Sequence, residues 1–189
     1  LPLHFAATGL ELGIAMVLLL AVLLHRRLDL HRHIDPRDVD LLCRVLLAFA
    51  LIAGFLHAET WLHALAFSPA PGAPRLERMT GAYAPLYWAG FLLAVAAPQL
   101  FWMRRLRCAR WPAVAVAASG LGGIYLDYLS IVVGGVRDGH LGAAPASYAP
   151  TFAEAGLLAG TLGLFLLMVL VSVRRLPIVS LYVTREAAL

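Results

Sequence analysis

Five apolar runs, each long enough to cross a bilayer, constrain this chain more than anything else in it. They cover about Leu3–Leu24, Leu41–Phe67, Tyr83–Met103, Pro112–Gly134 and Glu154–Val173, where a helix needs roughly 20 apolar residues to span. The chain is 61% hydrophobic and 14% charged over its 189 residues. A soluble core of that size could not hide so much apolar surface. The expectation is an all-α membrane protein: a four-helix transmembrane bundle plus one flanking helix, forming a single integral membrane domain over residues 1–189.

The positive residues, all arginine, orient the spans. The first connection holds Arg26, Arg27, Arg32 and Arg37, the third Arg104, Arg105, Arg107 and Arg110, and the tail Arg174, Arg175 and Arg185. Against them stand Arg75 and Arg78 in the second connection and Arg137 in the fourth, with Arg44 at a span end. Short cytoplasmic loops carry the arginine excess. The first and third connections and the C-terminus are therefore expected in the cytoplasm, and the first residues outside. The pI near 9.5 follows from this loop bias and gives no reason to expect a nucleic-acid partner. The outer connections are rich in proline and glycine, at Pro69, Pro71, Gly72 and Pro74 and again at Gly142, Pro145 and Pro150. They read as loops. Residue 1 is Leu, so the natural start is expected upstream, and the first run is too long for a signal peptide.

Orientation sets depth, and depth picks out the ionisable groups. At 1.5 Å per residue, Glu11 and Glu59 each lie roughly 12 Å, and Asp127 roughly 10 Å, from the outer ends of their spans. An ionisable side chain at membrane depth costs on the order of 3 kcal/mol on insertion scales. Such a group normally faces a bundle interior or a wet cavity. Small neighbours (Ala7, Thr8 and Ala15 around Glu11; Gly120, Gly123 and Gly134 around Asp127) suit faces where helices approach closely. Glu59 lies one turn from His63, so the two can hydrogen-bond. His57 sits about 200° from Glu59 around the helix and need not join that site. The reading that follows is one inward-facing layer of Glu11, Glu59 and Asp127, with His63 and Tyr83 in reach, able to transfer protons. Against it stands a plain structural bond between Glu59 and His63 that holds two helices.

Tyr83, Tyr87, Trp61 and Trp88 are by default interfacial belt residues; the functional alternative has Tyr83, Tyr87 and His57 contacting a quinone. A haem would need two histidines from facing helices at matching depth. Only His57 with a partner such as His4 could supply one. Cys43 and Cys108 match no metal or iron–sulfur spacing and read as reduced structural thiols. No haem or metal is expected on this chain.

Several motifs resemble one family. Leu47 to Glu59 is followed by Arg78-Met-Thr-Gly81-Ala-Tyr83, then Pro98-Gln99-Leu100 with Arg105 after it. Next come Gly123-Ile-Tyr125-Leu126-Asp127-Tyr128, Tyr148-Ala-Pro150-Thr151-Phe152-Ala-Glu154 and Leu176-Pro177-Ile178-Val179-Ser180. In this order they resemble the NrfD/polysulfide-reductase membrane subunits, which include the ActC and ActF subunits of the alternative complex III. The likeness runs from about His31 to the end, and the chain looks like the C-terminal bundle of such a subunit with the last helix. It implies a multi-pass subunit of a bacterial inner membrane that oxidises menaquinol or ubiquinol within a larger complex. Its partners would be iron–sulfur and cytochrome subunits, a homologous membrane subunit and lipids. A purely structural membrane anchor for cofactor-bearing subunits is the alternative. Tyr128 stands where the family has arginine and Asp127 where it has glutamate, so the family's charge pair is expected to be lost.

Overall fold

The computed structural model describes residues 2–24, 36–67, 74–137 and 151–175. Every regular element among them is helical: α1 Pro2–Leu24, α2 Pro36–Phe67, α3 Pro74–Thr80, α4 Ala84–Phe91, α5 Arg104–Arg107, α6 Arg110–Arg137 and α7 Phe152–Arg175. Between α4 and α5 the helix continues through a widened π stretch, Leu92–Ala96, and a tight 3-10 stretch, Ala97–Trp102. Five helical segments are long and apolar enough to cross a membrane: Pro2–Leu23, Arg37–Ala66, Ala84–Trp102, Arg110–Val133 and Phe152–Ser172. The fold is all-α and of membrane type, with spans close to those read from the sequence. Residues 25–35, 68–73 and 138–150, which hold most of the first connection, most of the proline-rich stretches and the Tyr148–Pro150 part of one motif, lie outside the described residues, as does the Leu176–Ser180 motif.

Helix starts follow local chemistry. α1, α2 and α3 each open on a proline, whose missing N–H costs nothing in the first turn. Asp38 in the first turn of α2 complements the helix dipole. The change of helix type in the third span follows from Pro98, which cannot donate to the carbonyl one turn earlier. Gln99 Nε2 donates to the Val95 carbonyl at 2.9 Å and satisfies one acceptor of the disturbed stretch.

The chain forms two units, one holding α1 to α6 and the other holding α7. In the first, buried residues recur at helical spacing. They are Ala7, Thr8, Glu11, Ala15 and Leu18 on α1, and Cys43, Leu46, Leu47, Ala50, Ala53, His57 and Ala64 on α2. On α6 the stripe includes Ala113, Val116, Ala117, Ile124, Asp127, Ser130 and Val133. The α1, α2 and α6 stripes meet in one apolar cluster that includes Leu18, Leu46 and Phe101. A second cluster joins Ala53, Ala94, Val95 and Ile124. Small residues decide how closely helices approach in lipid, and the third span meets α6 at a glycine pair. A Cβ on Gly123 would run into the Ala94 nitrogen and come within 2.8 Å of the Gly90 carbonyl, while one on Gly90 would lie 3.0 Å from the Asp127 nitrogen. This contact places the third span directly against the turn of α6 that carries Asp127.

At the end of the bundle where α2 begins and the third span stops, Arg107 Nε donates to Asp40 Oδ1 at 2.8 Å and Arg44 Nη2 lies 2.6 Å from Asp40 Oδ2. Arg107 Nη1 also donates to the carbonyls of Phe101 and Trp102, acceptors left open where the third span ends. In α7, the described side chains are exposed apart from half-buried Val169.

Candidate functional site

Asp127 is the centre of the polar site. It is only 3% exposed, on the face of α6 that the glycine contact holds against the third span. Ser130, one turn on, donates its hydroxyl to the Asp127 carbonyl at 2.7 Å. Arg78 reaches in from α3: Nη2 donates to Asp127 Oδ1 at 2.9 Å and to Ser130 Oγ at 2.7 Å. His4 arrives from the first turn of α1, with Nε2 3.3 Å from Asp127 Oδ2. The carboxylate therefore meets a guanidinium on one oxygen and an imidazole on the other.

The loss of a charge partner expected from Tyr128 does not leave Asp127 unpaired. Arg78 and His4 supply the partners from other elements. Tyr128 turns instead to α1, donating to Thr8 Oγ1 at 2.8 Å, because the Thr8 hydroxyl hydrogen is spent on the His4 carbonyl at 2.8 Å.

Beside this network lies an aromatic nest. The His57 ring stacks edge-on to His4 with centroids 4.8 Å apart and edge-on to Phe91 at 5.5 Å. The Tyr87 hydroxyl accepts from Trp61 Nε1 at 2.6 Å and lies 3.2 Å from His57 Nδ1. Arg78 lies over the Tyr87 ring at 4.9 Å, a cation–π contact that couples the nest to the ionic network. One ligating atom each from His4, His57 and Asp127 fall within 4.8 Å of one another.

Glu11 is buried completely, on the same stripe of α1 as His4 and Thr8. Neither of its carboxylate oxygens has a hydrogen-bond partner among the described residues. Two helical turns separate it from His4, about 10 Å along the axis.

The expected inward layer of three acids needs correction at Glu59. Glu11 and Asp127 face inward, whereas Glu59 and His63 are exposed, on the face of α2 that also shows Phe55 and Leu62. The small residues Ala50, Ala53 and Ala64 turn the opposite face of α2 into the bundle, and His57 goes in with them. The reason is angular, since Glu59 lies about 200° around α2 from the buried His57. α2 has 32 residues, about 48 Å of helix, against a hydrocarbon core of about 30 Å. A helix of that length extends beyond the hydrocarbon, and Glu59 sits two residues from Trp61, whose ring packs on Trp88 at 5.3 Å, as interfacial aromatics do.

Tyr87 joins the site through its hydroxyl. Tyr83 is half-buried at the start of α4, where its carbonyl accepts the first backbone bonds of that helix. Sequence reasoning missed Arg78, Ser130 and Trp61 as site residues, and weighed His4 only as a haem ligand. A usable signal existed for His57, which lies at helical spacing from Ala50, Ala53 and Ala64. Arg78 opens the Arg78-Met-Thr-Gly81-Ala-Tyr83 motif, but its place in a connection between spans gave no sign that it meets Asp127.

A scan of protein-family models and a search of curated proteins returned no match to this chain, so the resemblance described above rests on its motifs alone.

Proposed function

We propose that this chain is an integral membrane subunit of a quinol-oxidising respiratory or photosynthetic electron-transfer complex, placed in a bacterial inner membrane with its C-terminus in the cytoplasm. The observation that carries the reading is the His4–Asp127–Arg78 network, an imidazole and a carboxylate 3.3 Å apart on different membrane helices. Ionisable groups in such positions are costly and mark proton or substrate routes. Oxidation of a quinol releases protons, and a histidine–carboxylate pair is suited to receive them.

Tyr87 and His57 offer hydroxyl and imidazole groups to the oxygens of a menaquinol or ubiquinol. Phe91 and Trp61, with centroids 4.9 Å apart, offer faces for its ring. Electrons would leave to iron–sulfur and cytochrome subunits, with a homologous membrane subunit and lipids alongside. The chain itself would supply no redox centre. Glu11 would serve as a deeper proton station on the α1 stripe.

One observation favours the anchor reading. The Arg78–Asp127 pair ties α3 to α6, as a purely structural clamp would. Asp127→Asn separates the two, because it keeps shape and a hydrogen-bond acceptor for Arg78 but removes the proton-accepting carboxylate. In the assembled complex reconstituted into vesicles, quinol-dependent electron transfer is expected to fall about tenfold or more, in the usual range for losing a general acid–base group, with subunit composition unchanged. Wild-type turnover in an intact complex would leave the anchor.

A further inference from the structure

We propose that His4, His57 and Asp127 form a binding site for a first-row transition dication, Zn2+ above all, at the outer end of the α1–α2–α6 bundle. The inference goes beyond the quinol reading and does not depend on it.

Three elements each deliver one donor, and the three ligating atoms lie within 4.8 Å of one another. Zn2+ takes imidazole nitrogens and carboxylate oxygens at about 2.0–2.2 Å in tetrahedral geometry, which sets neighbouring ligand atoms about 3.4 Å apart. The His4–Asp127 pair stands at 3.3 Å already. The widest pair needs to close by about 1.4 Å, within the reach of side-chain rotation. Two imidazoles and one carboxylate, with a fourth position left to water, suit Zn2+ better than Mg2+ or Ca2+, which prefer all-oxygen sites.

The surroundings supply the outer hydrogen bonds that such ligands normally have. The Tyr87 hydroxyl stands 3.2 Å from His57 Nδ1. Arg78 holds Asp127 Oδ1 at 2.9 Å and leaves Oδ2 facing His4. His4 also carries a spare donor, since its Nδ1 is buried without a partner among the described residues. The opposing feature is the Arg78 charge, which repels a dication. That repulsion outweighs the single hydrogen bond Arg78 gives, so the site binds metal with moderate affinity and tightens when Arg78 is neutralised. A metal held here replaces the hydrogen bond between His4 and Asp127.

The test uses the purified protein in detergent, stripped with EDTA and titrated with CoCl2, then with ZnCl2. The expected result is visible d–d absorption of low-coordinate Co2+, saturating at one ion per chain and abolished by Zn2+. His4→Gln and His57→Gln should each weaken binding, since each removes one of the three donors, and Arg78→Gln should tighten it, since it removes a like charge beside the ion. His63→Gln, on the exposed face of α2, should leave the titration unchanged. An unchanged elution profile and helical circular dichroism certify each variant. If His57→Gln does not yield monodisperse protein, His4→Gln, in the first turn of α1, decides the same point. Absence of d–d bands in the wild type, bands that persist in both histidine variants, or bands lost with His63→Gln would overturn the proposal. Since the readout is spectroscopic, a negative result would leave the quinol reading standing, and a normal quinol turnover in Asp127→Asn would leave the metal site untouched.

Discussion

Two buried residues set energies that single substitutions can read. Glu11 carries two buried oxygens with no partner among the described residues, and an unsatisfied buried polar group costs about 1–3 kcal/mol. Glu11→Leu is therefore expected to stabilise the folded protein by about that amount, measured as resistance to denaturation in detergent. If Glu11 relays protons, the same variant slows quinol turnover, so stability and activity move in opposite directions. A loss of stability would show that the carboxylate has a partner in the native membrane. Gly123 poses the converse case. A side chain there meets backbone atoms of the third span, which cannot rotate away, so Gly123→Val should cost about 1–3 kcal/mol or more. Gly120→Ala, where an added Cβ meets nothing within 4 Å, should be close to neutral and serves as the control.

At the scale of the element, α2 shows how length and angular position together decide exposure. It is longer than the hydrocarbon core, and the acid near its outer end is exposed while the histidine two residues earlier is buried. Glu59→Gln is consequently expected to leave quinol turnover near the wild-type value, in contrast to Asp127→Asn. A loss as large as that of Asp127→Asn would bring Glu59 back into the proton route, through a neighbouring subunit. The short segments also allow a check of sidedness. Ala82, exposed between α3 and α4, and the native Cys108, exposed after α5, flank the third span. With the proposed orientation, Ala82→Cys in a Cys108→Ser background should react with an impermeant maleimide added to intact cells, and the native Cys108 should not. The reverse pattern would invert the topology.

Across the first unit, ionic contacts occupy the two ends of the bundle, and the packing between them is apolar apart from the buried Glu11. Arg78 and His4 meet Asp127 at one end, while Arg107 and Arg44 meet Asp40 at the other. Between them the contacts come from alanines, glycines and aliphatic side chains, which gain from close approach rather than from escape from water. The Asp40 clamp joins α2 to the end of the third span, away from any proposed chemistry. Asp40→Asn should lower stability by about 1.5–3 kcal/mol, the range for hydrogen bonds to charged groups, without changing Co2+ binding or the turnover per folded complex. Any change in Co2+ affinity would mean that the two ends are coupled through the bundle.

What the amino-acid order determined alone was the solvent. Apolar runs of bilayer length leave one class of fold, and the five spans sit within a few residues of where hydropathy puts them. It also marked Glu11 and Asp127 as inward, because small residues surround each at helical spacing and a helix face is a local property. Which face of α2 turns inward was not local. His57 and Glu59 both interrupt an apolar helix, and periodicity gives the angle between them without saying which angle meets a neighbour. Packing of Ala50, Ala53 and Ala64 against the rest of the bundle made that choice. The partners of Asp127 were further out of reach, since Arg78 lies 49 residues away in sequence and His4 lies 123 away. Only the folding of α3 and α1 onto α6 brings a guanidinium and an imidazole to one carboxylate, because side chains so distant in the chain meet through tertiary packing and leave no pattern in the local sequence.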